Sequence, residues 1–185
     1  MLEELEKTLP PIKWDLIGLC EVKRLGEEIK EYSEYIFYFY SKTQGRYGMG
    51  FLVKKYLKDK IVSFHGISDR IFVLNIQLIN SKQPWLIIQV HEPIEQDTKL
   101  AKEKFYNDLT ELMQNNKKYV IVIGDFNAKV ERKSNKDESV VGDYVRETRR
   151  RDRNDNRQKL IDFSFAHNFK IMNSFFKKRK SRKWT

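Results

Sequence analysis

A chain of 185 residues, 40% of them hydrophobic and with 12 Phe and 9 Tyr, is long enough to bury one real core, and it contains no internal repeat and no linker between two cores. Lys and Arg number 36 against 26 acidic residues, a net charge of +10 with a pI near 9.5, which directs attention to an anionic polymer or a phosphate-bearing partner. The lone Cys20 excludes an internal disulfide and a cysteine-rich zinc site and fits a reducing, intracellular setting, while no apolar run is long enough to span a membrane.

In chain order, Leu2, Leu5 and Leu9 recur at helical spacing among Glu and Lys, so a short acidic helix, unlike a secretory signal, precedes Pro10 and Pro11. Trp14 to Cys20 reads as a strand that delivers Glu21 at its end. Lys23 to Tyr35 reads as a short exposed helix or loop, and Tyr35 to Tyr40 as an aromatic strand made for core packing. Ser41 to Gly50 is a glycine-rich loop carrying Arg46 and Tyr47. Met49 to Val53 is a strand followed by a basic turn at Lys54, Lys55 and Lys58. Ile61 to Phe64 and Ile71 to Ile79 are strands, the second with Phe72, Leu74, Ile76 and Leu78 on a wholly buried face.

Trp85 to Val90 is another strand, ending in His91-Glu92-Pro93. Lys99 to Met113 places Leu100, Phe105, Leu109, Leu112 and Met113 on one helical face. Tyr119 to Ile123 is expected to be a strand buried on both faces, after which Gly124 turns where a side chain would clash. Asp125 and Asn127 follow; if the strand continues they share a face, and if not they form an ordinary Asx-type turn. Glu131 to Arg157 is polar enough for a long surface loop or a partly disordered segment, with Arg149 to Arg153 either phosphate-binding or simply solvated. A short helix over Leu160 to Ala166, a last strand over Phe169 to Phe176 and a basic tail from Lys177 complete the chain. Residues 1–176 are thus one domain and 177–185 an appendage.

Five strings give the chain a family likeness: Ile17-Gly-Leu-Cys-Glu-Val22, Gly48-Met-Gly-Phe-Leu-Val53, Gln89-Val-His-Glu-Pro93, Ile123-Gly-Asp-Phe-Asn-Ala-Lys-Val130 and Ile171-Met-Asn-Ser-Phe-Phe176. In order and approximate spacing they resemble the endonuclease/exonuclease/phosphatase superfamily. The likeness is nearest to the apurinic-type endonuclease domain of non-LTR retrotransposons and the craniofacial development protein 2-like proteins derived from them. That resemblance implies an α/β fold, a four-layer sandwich of two packed mixed β-sheets flanked by helices, incomplete at both termini. It also implies hydrolysis of a DNA phosphodiester with Mg²⁺ or Mn²⁺, and a nuclear setting if DNA is the target. Glu21 matches the metal-binding glutamate, Asp125 the aspartate that orients or deprotonates the attacking water, and Asn127 the amide that holds the phosphate. His91 stands where relatives carry a phosphate-contacting tyrosine. Arg46, Lys54 and Asn173 are the candidate nucleic-acid contacts, Asn173 equally well a structural residue.

The chain also departs from the family pattern. A metal-ligating asparagine on a strand ahead of the first helix, a late aspartate and a terminal Ser-Asp-His string have no counterpart between Met1 and Thr185, so an impaired catalytic set is expected. Two other functions stay open: a non-catalytic remnant that binds nucleic acid or a partner, and a phosphatase acting on a phospholipid or nucleotide. The sequence carries no signal for oligomeric state.

Overall fold

The computed structural model describes residue 9 and residues 13–115, 119–130, 139–145 and 155–177. The expected opening helix, the Arg149 to Arg153 run and the tail beyond Lys177 lie outside the described residues. The chain divides into two compact units, the first running to Val90 and including the segment that ends at Gly124, the second starting at His91 and resuming at Asp125.

The first unit contains two packed sheets. One joins β1 (Leu16–Cys20), β4 (Met49–Lys54), β3 (Tyr35–Ser41) and β2 (Gly26–Glu31) in the order β1-β4-β3-β2, antiparallel throughout. The other orders β5 (Ile61–Ser68), β6 (Ile71–Ile76), β7 (Trp85–His91) and β8 (Val120–Asp125). Its first three strands pair antiparallel. The backbone N–H of Leu86 donates to the carbonyl of Tyr119, and that of Glu92 to the carbonyl of Asp125, so the pairing advances in the same direction along β7 and β8. These two strands are therefore parallel and the sheet is mixed, whereas the β1-β4-β3-β2 sheet is not.

The period-2 alternation of β3 explains why so aromatic a strand folds as it does. Ile36 and Tyr38 pack with Met49, Phe51 and Val53 against Phe72, Leu74 and Ile76 of the facing sheet. Tyr35, Phe37 and Phe39 point the other way, into a cluster with Val22, Leu52 and Leu9. Both faces are buried, and the rings serve the core: Phe51 stacks on Phe72 with centroids 5.4 Å apart, and Tyr38 meets Phe64 edge-on at 4.2 Å. Each such ring, removed from water completely, contributes about 1.5 to 3 kcal/mol.

Several expected elements are different in the structure. Lys23 to Tyr35 contains β2, not a helix, because Gly26 to Glu31 pair along the edge of β3 although their own side chains are mostly exposed. The partner strand, with its row of backbone groups, overrides the weak strand signal of Glu and Lys. β6 stops at Ile76, and β5 continues to Ser68 through two irregular steps in register. β8 is not buried on both faces: it is the last strand of its sheet, and Tyr119 and Ile121 are 39% and 40% exposed. Trp85 of the neighbouring β7 stacks on Tyr119 with ring centroids 5.2 Å apart.

In the second unit, α1 (Lys99–Asn115) starts where the Thr98 hydroxyl accepts a hydrogen bond from the N–H of Ala101. Its buried row is Lys102, Phe105, Leu109 and Met113, and Leu100, expected on that row, is 75% exposed. A lysine thus occupies an apolar helical position. α2 (Asp155–Ala166) begins five residues before the predicted Leu160, and its first turn buries Asn156 and Arg157. Both are polar, so no apolar periodicity marks that turn as helical in the sequence.

Val140, Val141 and Val145 are not part of a solvated loop; they form a small core with Ile161. The predicted strand over Phe169 to Phe176 reduces to one bridge, Val141 to Ile171, followed by a 3-10 turn over Met172–Ser174. The Ser174 hydroxyl and carbonyl accept from the N–H groups of Gly142 and Tyr144, so the chain is pinned by a turn, and no ladder extends from it among the described residues.

Candidate active site

Within the first unit, β1, β7 and β8 meet at one carbonyl near their ends. The Cys20 thiol, last in β1, donates to the Val90 carbonyl at 3.4 Å and accepts from the Gln89 amide at 3.0 Å. Gly124 adopts φ +139, and a β-carbon there would stand 1.9 Å from the same Val90 oxygen. Only glycine lets the β8 backbone come so close. The residues next in sequence after Cys20, Val90 and Gly124 are Glu21, His91 and Asp125.

Glu21 leaves β1 in the left-handed region, φ 55, and so does Lys23, φ 57. The segment is held by Val22, which is buried, and by hydrogen bonds from the N–H groups of Val22 and Lys23 to the carbonyls of Gly48 and Tyr47. The Glu21 carboxylate lies 3.6 Å from the Lys23 ammonium, both well exposed, an ion pair of little energetic weight.

In the second unit the strand geometry does not persist through Asp125 and Asn127. Asn127 takes φ 45, and its N–H donates to Asp125 Oδ1 at 2.9 Å, closing an Asx turn. The Asn127 side-chain amide donates to the Glu92 carbonyl at 2.7 Å, and the Glu92 N–H donates to the Asp125 carbonyl at 2.8 Å. Of the two readings open to the sequence, a shared strand face or an Asx-type turn, the turn is the one found. It is clamped from both sides by the backbone of residue 92.

His91, at the end of β7, is buried, with 8% of its surface exposed. Arg46 is exposed in the loop before β4. Lys54, the last residue of β4, holds its ammonium 4.7 Å from the centroid of the Trp14 ring. Asn173 is exposed in its 3-10 turn, and the neighbouring Ser174 makes the structural bonds. Glu21, Arg46 and Lys54 belong to the first unit; His91, Asp125, Asn127 and Asn173 belong to the second.

The sequence reading did not single out Glu92. It is fully buried, and neither carboxyl oxygen has a hydrogen-bond partner among the described residues. Burial pushes its pKa up to about 8; the facing Tyr106 hydroxyl and the Lys102 ammonium pull the other way, and Asp155 and Glu95 push with burial. The Tyr106 hydroxyl is buried too and acts on Glu92 without a well-formed hydrogen bond; its own pKa is raised, chiefly by burial and then by Glu92. Lys102 donates to the Glu95 carbonyl at 3.0 Å and lies 3.4 Å from Asp155. The only sequence signal was a charged residue between a buried strand and a proline.

Among the described residues no group of three or more His, Cys, Asp and Glu side chains comes together as a metal cage. A magnesium ion does not need one, since it is usually held by one or two carboxylates, water and substrate phosphate. The exposed Glu21 carboxylate is a hard oxygen donor of the right type. Among the described residues no helix is long and apolar enough to cross a membrane.

The model of the Endonuclease/Exonuclease/phosphatase family matches residues 1–171. No curated protein matches the chain.

Proposed function

The chain belongs to the endonuclease/exonuclease/phosphatase family, whose members carry out nuclease- or phosphatase-type hydrolysis and are generally dependent on a divalent metal, and from this we propose that it hydrolyses DNA phosphodiesters with Mg²⁺ or Mn²⁺. The observation that carries the reading is the Asp125–Asn127 turn, clamped by Glu92 at the end of a parallel strand. The retrotransposon-type endonuclease likeness and the charge of +10 favour a polyanionic substrate in the nucleus over a small phosphorylated molecule.

Asp125 orients a water and takes its proton; the oxygen attacks phosphorus, the bond to one ester oxygen breaks, and that oxygen is protonated from solvent. Asn127 donates to a phosphate oxygen, and because it is neutral it does so without repelling the charge. Glu21 would hold the metal, which when bound neutralises charge on the phosphoryl group. Arg46, Lys54 and Asn173 contact the polymer backbone.

Supercoiled plasmid is incubated with the purified chain and Mg²⁺ or Mn²⁺, and nicking is followed on a gel. Nicking that disappears in Asp125→Ala supports the reading. Absence of nicking with either metal, or equal nicking by Asp125→Ala, overturns it.

A further inference from the structure

We propose that the buried Glu92 side chain is a positioning group for Asn127, anchoring the peptide that holds the amide, and that ionisation of this carboxyl lets the amide go. Both backbone polar groups of Glu92 are committed to the turn, the N–H to the Asp125 carbonyl and the carbonyl to the Asn127 amide. Pro93 follows and stiffens the chain, and its carbonyl accepts from the Asn156 amide at 2.7 Å. The side chain is the remaining handle on this peptide, and it is fully buried.

The titratable groups around the carboxyl are Tyr106 and Lys102 on α1, Asp155 on α2 and Glu95 in the connection between β7 and α1. Burial outweighs them all: Tyr106 and Lys102 favour a carboxylate, and Asp155 and Glu95 oppose one. The Lys102 ammonium is already engaged by the Glu95 carbonyl and by the Asp155 carboxylate, which the Lys159 ammonium also approaches at 3.9 Å, so Lys102 is shared with Asp155 before Glu92 ionises. A neutral acid fits this interior. An anion with no hydrogen bond to either oxygen does not, and it must draw in water or move outward. Either movement shifts residue 92 and strains both bonds that hold the Asp125–Asn127 turn. Burial keeps the proton on up to about pH 8, so the change falls on the alkaline side of neutrality.

The inference rests on the proposed phosphate-binding role of Asn127 only for its effect on catalysis; the structural coupling can be read without activity. The intact chain is labelled with ¹⁵N asparagine, and the Asn127 side-chain amide, identified by its loss in Asn127→Ala, is followed by NMR from neutral to alkaline pH. The wild-type signal is expected to move with a midpoint near pH 8, and the signal of Glu92→Gln to stay at its neutral-pH position throughout. Tyr106→Phe removes a hydroxyl that pulls the value down and keeps the ring, so its midpoint is expected to move up; this variant decides the matter if Glu92→Gln does not fold. An immobile wild-type signal, an equal titration in Glu92→Gln or an unmoved midpoint in Tyr106→Phe overturns the inference. In parallel, nicking should fall off above the same pH in the wild type and persist in Glu92→Gln. A lack of nicking in both proteins, with the NMR titration as expected, would defeat the enzymatic reading and leave the coupling intact.

Discussion

Gly124 lies so close to Val90 that a β-carbon on it would stand 1.9 Å from the Val90 carbonyl oxygen, with the Val90 carbonyl carbon and amide nitrogen within 2.9 Å. All three obstacles are backbone, which cannot rotate away as a side chain would. The φ of +139 is a second penalty for any L side chain. Gly124→Ala is therefore expected to destabilise the protein by about 3 kcal/mol or more, read as a lower midpoint in urea unfolding. A change within a few tenths of a kcal/mol would show that β7 and β8 do not meet as described.

Much of the first unit is legible in the sequence because its signals are local and redundant. The alternation of Ile36 and Tyr38 with Phe37 and Phe39 needs no partner to be recognised, and Gly124 before Asp125 announces a close backbone approach. β2 was illegible, since Gly26 to Glu31 become a strand only by pairing with β3. The same holds for Tyr119 to Ile123, whose apolar run says strand but not that β8 lies at the edge of its sheet. At the site, residue types pointed to Asp125 and Asn127, but the left-handed turn that fixes them depends on Glu92, distant in sequence. A glutamate is ordinarily read as exposed, so nothing local marked Glu92 or Lys102 as interior groups.

The amide of Asn127 is tied to the Glu92 carbonyl at 2.7 Å while its backbone sits at φ 45, a conformation asparagine tolerates and alanine does not. Asn127→Ala should cost about 2 kcal/mol, combining the lost hydrogen bond with the left-handed penalty. Asn127→Gly keeps the backbone at ease and should restore roughly half of that stability. If the amide holds the phosphate as proposed, nicking should fall in both variants by a factor on the order of 100. Recovery of activity in Asn127→Gly would mean that the amide does no chemistry.

Glu92 makes stability fall with rising pH. Unfolded, it loses its proton near its ordinary value of 4.5; folded, it keeps the proton to about 8. Between these values the folded state binds the extra proton, so stability declines as pH climbs through that window and levels off above it. The loss is on the order of 3 to 5 kcal/mol across the window. Glu92→Gln carries no such proton, and urea unfolding of both proteins at both ends of the window isolates the effect. The wild type should lose that much more than the variant; parallel losses would mean that the carboxyl ionises normally in the fold.

Arg46 and Lys54 differ in what else they do, which separates DNA contact from packing. Arg46 is exposed in its loop, so Arg46→Ala should leave stability unchanged. The Lys54 ammonium stands 4.7 Å from the Trp14 ring centroid, and Lys54→Ala should cost about 0.5 to 1 kcal/mol of stability besides any effect on binding. If both neutralise phosphates, each alanine variant releases one fewer counterion, and the slope of log affinity against log salt concentration for duplex DNA should become shallower by about 1. The weakening should be uniform across DNA sequences, since phosphates carry no base information. Lys54→Arg keeps a cation that can lie over the ring and should retain both the slope and the stability. An unchanged slope in Lys54→Ala, accompanied by the stability loss, would reduce Lys54 to a partner of Trp14 and remove it from the DNA surface.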